Sequence, residues 1–203
     1  MDQAPFQMSN VQLPPASPPG DLWLGFNAYC DKLLAAKRAV GEWYNDGLDR
    51  GEALVMSGGY GCGKTHLARV VIHAYADPAN SIMVSEADLI AQIRASYDGA
   101  GSEKMILSTL RRARLLILDD IGTAHVKAES QTWLEDIYWR LLDRRNEMHL
   151  GTLITTNLVA EQLGKRIGGR AYSRLLGMMN GHNYVDLFGV KDYRLRGWQH
   201  ASN

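Results

Sequence analysis

The run Gly58-Gly59-Tyr60-Gly61-Cys62-Gly63-Lys64-Thr65-His66 follows directly on the apolar stretch Ala53-Leu54-Val55-Met56. Gly58, Gly63, Lys64 and Thr65 satisfy the pattern GxxxxGK[ST], which joins a buried strand to a helix and wraps a phosphate on the way. The constraint on the fold is severe, because a strand that feeds such a loop needs a covering helix and a parallel neighbour. The four glycines let the backbone turn tightly and aim N–H groups at phosphate oxygens. Lys64 reaches phosphate as a point charge, the Thr65 hydroxyl can ligate Mg²⁺, and the helix that starts there presents its positive end to the anion. Tyr60, Cys62 and His66 complete the binding segment.

The rest of the chain reads as alternating strands and helices. Strands are expected at Ala53–Ser57, Ser81–Ser85, Leu115–Asp119, Gly151–Thr156 and Tyr184–Phe188. Helices are expected over Tyr29–Asn45, Thr65–Tyr75, Glu86–Tyr97, Glu103–Arg114 and about Glu129–Asn146. The alternation predicts a parallel sheet covered on both faces. Residues 1–22 hold five of the six prolines and read as a disordered tail, a possible docking peptide, ahead of a domain over 23–195 and a short tail at 196–203.

Bulk composition excludes more than it selects. With 22 basic and 22 acidic residues the net charge is zero, so nucleic-acid binding would need a local patch. Arg111, Arg112 and Arg114, then Arg140, Arg144 and Arg145, then Lys165 and Arg166 are the candidate basic clusters. Cys30 and Cys62 suit neither a disulfide framework nor a zinc site. There is no apolar run of membrane-spanning length and no signal-like N-terminus, so a cytoplasmic protein without membrane partners is expected.

Three further constellations carry chemistry. Leu115-Leu116-Ile117-Leu118-Asp119-Asp120 is an apolar strand ending in two acids, where ligands bind in open α/β sheets. Asp119 is assigned to Mg²⁺ and Asp120 to the attacking water. Leu153-Ile154-Thr155-Thr156-Asn157 turns abruptly polar, and the Asn157 amide can touch a γ-phosphate or hold water without adding charge. Gly168-Gly169-Arg170-Ala171-Tyr172-Ser173-Arg174-Leu175 carries two arginines four apart, on one face if the segment is helical.

Read in order, GGYGCGKTHLA, LLILDDIG, LITTN and GGRAYSRL resemble the AAA+ ATPases of the DnaC/DnaI helicase-loader and IstB group, with DnaA-type initiators as more distant relatives. The stretch Trp133–Arg145 is similar to the helix that follows DDIG in the loaders. The resemblance implies an α/β P-loop NTPase: a three-layer sandwich around a five-stranded parallel sheet. Residues 58–65 would bind ATP, Asp119 and Asp120 would form the Mg²⁺ and catalytic acid pair, and Asn157 would be the polar sensor. Arg174 would be the arginine supplied to a neighbour's nucleotide, with Arg170 as second choice. Trp133 would lie where loaders carry an aromatic that contacts single-stranded DNA.

Asp120 stands where many relatives carry Glu, which implies slow turnover. The 29 residues after Arg174 imply a C-terminal lid that is absent. The function implied is a Mg²⁺–ATP-dependent loader of a replicative hexameric helicase, oligomeric with ATP or single-stranded DNA. Two alternatives stay open: an IstB-like ATPase that works with a transposase, and a nucleotide-gated adaptor with little hydrolysis.

Overall fold

The computed structural model of the protein describes residues 22–99, 101–181 and 183–192. The proline-rich tail (apart from Leu22), the C-terminal tail and the expectation of an absent lid fall outside them.

Five strands form one sheet: β1 (Ala53–Ser57), β2 (Ser81–Ser85), β3 (Leu115–Ile121), β4 (Gly151–Thr156) and β5 (Tyr184–Asp186). All neighbours are parallel and their order is β2-β3-β4-β1-β5. Among the described residues seven α-helices accompany them: α1 (Leu22–Glu42), α2 (Lys64–Ala74), α3 (Glu86–Tyr97), α4 (Glu103–Arg112), α5 (Gln131–Glu147), α6 (Ala160–Ile167) and α7 (Gly169–Met178). None of the helices among the described residues is long and apolar enough to cross a membrane.

Strand alternation divides the core in two. Leu116, Leu118, Val55 and Ile154 point to the face covered by α3 to α7. Leu115, Ile117, Leu54 and Met56 point to the face covered by α1 and α2. β1, β3 and β4 are buried on both faces because both are covered, which makes the expected three-layer sandwich. Ser85 starts α3 by accepting from the Asp88 N–H at 3.1 Å, with Glu86 and Asp88 at the positive end of the helix.

Four elements depart from expectation. α1 begins at Leu22 and ends in a π-helical turn, Trp43–Gly47, where the buried Trp43 indole donates to Glu52 O at 3.1 Å. β5 ends at Asp186, two residues short of Phe188. β3 runs on through both acids to Ile121. α6 was not anticipated; Gly164 lies within it, and a Cβ there would meet the Tyr172 ring at 3.2 Å, so the glycine lets α6 and α7 approach.

One expected DNA-facing arginine is instead a structural cation. Arg145 is fully buried beneath the sheet. Nη1 donates to Leu110 O and Ala113 O at 2.8 and 2.7 Å, Nη2 to Gly151 O at 2.5 Å, and Nε to Thr152 Oγ1 at 2.9 Å. It thereby satisfies carbonyls at the end of α4 and the start of β4. Burial pushes its guanidinium below its usual range, and these oxygens hold its donors in place. Arg145→Met removes all four bonds and strands three carbonyls in the core, so it should destabilise the fold by about 2–4 kcal/mol. Urea unfolding measures this; a loss under about 1 kcal/mol would show that the cage contributes little.

Candidate nucleotide site

The C-terminal ends of β1, β3 and β4 are neighbours, so segments roughly fifty residues apart in sequence meet at one edge of the sheet. β1 opens into the loop Gly58–Gly63, and α2 begins at Lys64. Gly61 and Gly63 have φ of 66° and 98°, a left-handed backbone that glycine adopts without strain. The chain beyond β5 lies against the same loop: a Cβ on Gly58 would sit 2.7 Å from Leu187 Cβ, and one on Gly61 would collide with the Asp192 carboxylate. Tyr60 and His66 are exposed, whereas Cys62 is buried and donates its Sγ–H to Gly59 O at 3.1 Å.

Lys64 is only 5% exposed. Its ammonium donates to Gly58 O at 2.9 Å, Gly59 O at 2.8 Å and Asn157 Oδ1 at 2.7 Å. The last contact joins the loop to the end of β4, with Asn157 as an acceptor beside Lys64. Its position is set by Thr156, whose hydroxyl donates to Ile121 O at 2.6 Å and accepts from Leu158 N at 3.0 Å.

Asp119 is 6% exposed. Its Oδ1 accepts from Thr65 Oγ1 at 3.1 Å and from Thr155 Oγ1 at 2.5 Å. The Asp119 carboxylate and the Thr65 hydroxyl form a pair of hard oxygen donors, a set that fits Mg²⁺ held by one carboxylate and completed by water and phosphate. β3 is bulged here: Leu118 pairs with Ile154 and Ile121 with Thr156, so two acids oppose the single residue Thr155. The Thr155 hydroxyl closes the bulge by also accepting from Asp120 N at 2.9 Å. Asp120 sits at φ 55°, a left-handed conformation that Asp tolerates better than most residues. The bulge thus takes both acids out of the regular ladder.

A buried network that the sequence did not reveal holds the loop after the acids. Glu86 Oε2 accepts from Gly122 N at 3.0 Å and Ala124 N at 3.2 Å. Arg166 donates to both oxygens of Glu86, at 2.9 and 2.7 Å, and to Ala124 O at 2.7 Å, while the Tyr138 hydroxyl donates to Glu86 Oε1 at 2.8 Å. Burial and the Glu86 charge push the Tyr138 phenol well above its usual range, which keeps it a donor. Burial opposes the charge on Arg166, but Glu86 outweighs it and raises the pKa. The only sequence signal was an acid followed by an apolar-faced helix, which exposed glutamates also show. Arg166 belongs to this clamp and not to a solvated basic patch, and Lys165 is paired with Glu161 at 2.7 Å.

The remaining candidates lie elsewhere. α7 is helical, so Arg170 and Arg174 do share a face. The Arg174 side chain is half-exposed and its Nε pairs with Asp143 Oδ1 of α5 at 2.6 Å. The Arg170 guanidinium lies 3.7 Å from the centre of the Trp139 ring, a stacked cation–π contact. Trp133 is half-buried between α3 and α5; its indole donates to Tyr97 Oη at 3.0 Å, and Arg94 stands 5.9 Å over the ring.

Arg166→Met leaves Glu86 charged and buried without its cation. It should destabilise the protein by about 3 kcal/mol in urea unfolding and free the loop after Asp120. Wild-type stability would show that Tyr138 and the two amides hold the carboxylate alone.

A family model described as "IstB-like ATP binding protein" matches residues 36–197. The uncharacterized protein YdaV of Escherichia coli (strain K12) is 33% identical over 131 residues, covering 64% of this chain and 50% of that protein. An insertion sequence IS21 putative ATP-binding protein of Pseudomonas aeruginosa is 28% identical over 151 residues, covering 73% of this chain and 55% of that protein. The chain thus spans about half the length of these curated relatives. Among solved structures, the DnaC helicase loader superposes with a TM-score of 0.63 at 22% identity, covering 76% of this chain and 89% of that one, which shows a shared fold. The family match takes in the loop on β1, the acids on β3 and the asparagine after β4, and the chain belongs to the IstB-like ATP-binding proteins.

Proposed function

We propose that the protein is a Mg²⁺–ATP-dependent AAA+ ATPase that acts on DNA in replication, as a DnaC-like loader of a replicative hexameric helicase. The observation that carries the ATPase reading is the 2.7 Å contact of Lys64 with Asn157 beside the Thr65–Asp119 pair. Three elements supply donors and acceptors to one small volume, as phosphoryl transfer requires.

In this reading the loop N–H groups hold the ATP phosphates, and Lys64 exchanges its Gly58 and Gly59 carbonyls for β- and γ-phosphate oxygens. Asp119 and Thr65 would hold Mg²⁺, whose positive charge would offset that of the phosphates. Asp120 accepts a proton from the attacking water, and Asn157 orients that water or the γ-phosphate. The Glu86–Arg166 clamp keeps Asp120 in place. Arg174 leaves Asp143 for the γ-phosphate of a neighbouring copy, so hydrolysis requires a homo-oligomer. Arg170, stacked on Trp139, is less free to do this. Trp133 supplies an aromatic edge for single-stranded DNA.

The IS21 relative favours a second reading, an ATPase that delivers a transposase to duplex DNA. Recovery of partners with ATP from the native host separates the two: a hexameric helicase supports the first, a transposase the second. Absence of single-turnover hydrolysis even with DNA and partner would leave a nucleotide-gated adaptor.

Lys64→Ala should abolish ATP binding. At 100 times the wild-type Kd, ATP should raise wild-type stability by about 2.7 kcal/mol and leave the variant's melting temperature unchanged. Equal shifts in both proteins would remove the loop assignment. Arg174→Ala should keep ATP binding and lower kcat by about 10³-fold. Mixing it with Asp120→Asn protein should restore activity, since mixed interfaces pair an intact arginine with an intact acid; no recovery at any ratio would argue against action in trans.

A further inference from the structure

Two of the basic clusters come together in the fold far from the nucleotide loop. The C-terminal halves of α4 and α5 enclose a cavity of about 330 Å³ whose lining includes Arg111, Arg112, Arg140, Arg144 and Trp139. Those helix ends lead into the N-terminal ends of β3 and β4, so the cavity lies at the opposite end of the sheet from Asp119 and Asn157.

The charges in it are not balanced. The lining carboxylates are Asp143 and Glu147. Asp143 is taken by Arg174 and Glu147 by Arg144, at 2.6 and 2.9 Å. Arg140 is held by Glu103 and Asp136, at 2.6 and 2.7 Å. Arg111 and Arg112 have no ion pair among the described residues; the Nε atoms of Arg111 and Arg140 are both buried without a well-aligned hydrogen bond, but only that of Arg140 has a carboxylate beside it, Asp136 at 2.7 Å. Arginines at helix C-termini complement the helix dipole, which accounts for the residue type. It does not account for a buried guanidinium donor with nothing to donate to, since such groups are costly and are nearly always satisfied. Burial, then the charges of Arg140 and Arg144, push the Arg111 guanidinium below its usual range, as expected where an anion is called for.

We propose that this cavity is a second phosphate site, which grips the backbone of a single-stranded nucleic acid. Arg111 and Arg112 present guanidinium forks to phosphate oxygens, a geometry arginine matches better than lysine. Trp139 offers an indole to the adjoining sugar or base, with Arg170 stacked on the ring at 3.7 Å. The volume is at the small end of ligand pockets and suits one nucleotide unit. A strand is favoured over a free nucleotide because the donors are side chains on the outer surfaces of two helices, with no glycine-rich loop or helix N-terminus to enclose a detached phosphate. The choice of polymer rests on the DNA-acting reading above; the anion site rests on the arginines alone.

The test uses the full chain and a fluorescein-labelled oligo(dT), with anisotropy read across a salt series and ATP affinity measured in parallel. R111Q/R112Q should bind the oligonucleotide at least about tenfold more weakly, and its slope of log K against log salt should fall by about 1.4, the value for two single-strand phosphate contacts. ATP affinity should match the wild type. R112Q, at an exposed position, should show half the loss of slope, which guards against misfolding of the double variant. Arg38→Gln, on α1 across the sheet, should leave both quantities unchanged. The inference is overturned if R111Q/R112Q with normal ATP affinity keeps the wild-type affinity and slope, or if Arg38→Gln weakens binding as much. It is overturned as to the strand if AMP competes as well per nucleotide as the oligonucleotide. Failure of the wild type to bind the strand while it still binds ATP removes this site and leaves the ATPase reading intact, which Lys64→Ala tests separately.

Discussion

The pairing of β1 and β3 onto opposite edges of β4 brings Lys64, Asp119 and Asn157 within reach of one another, and the hydrogen bonds of Thr155 hold that arrangement at its weakest point. A regular ladder would send Asp119 and Asp120 to opposite faces of the sheet. The bulge breaks the ladder at the acids and leaves Asp120 at positive φ. Thr155 repairs it with one hydroxyl, donating to the Asp119 carboxylate and accepting from the Asp120 amide. Backbone strain of this kind persists only where its surroundings over-determine it, and it gathers at functional sites.

One buried polar group, Glu86, lies near that end of the sheet, and a second, Arg145, lies at the opposite end. Glu86 ties the loop after the acids to α5 and α6, while Arg145 ties the ends of α4 and α5 to the start of β4. Both occupy places where backbone groups would otherwise be stranded at the end of an element. Each is strongly directional, so together they fix where α4, α5 and α6 sit on the sheet. Apolar packing alone allows such helices more freedom to slide, because it is not directional.

The same geometry sorts the arginines. Arg145 and Arg166 are internal fasteners, Arg170 is stacked on Trp139, and Arg174 is paired at the surface with a carboxylate it can exchange. Arg111 and Arg112 remain without ion partners at a cavity. In sequence, Arg111, Arg112, Arg145 and Arg166 look alike, as members of short basic runs on helices, and Arg170 and Arg174 differ only by their spacing of four. What separates them is burial and the identity of the neighbour across a helix seam, and neither is a local property of the chain.

The phosphate loop, the parallel sheet, the acid-ended strand and the asparagine after β4 were legible in the chain itself. Each depends on short-range physics: glycine's access to positive φ, a run of apolar residues that only a doubly covered strand can bury, and a sharp change to polar residues where that strand emerges. α6 was not read from the sequence, and the close contact that calls for Gly164 is with Tyr172 on α7, which only packing defines. The bulge at Asp119 and Asp120, the Glu86 clamp, the cage around Arg145 and the cavity at Arg111 were decided by tertiary structure. They join residues thirty to eighty positions apart, and a charged side chain shows whether it is buried, paired or left over only when the elements around it have packed.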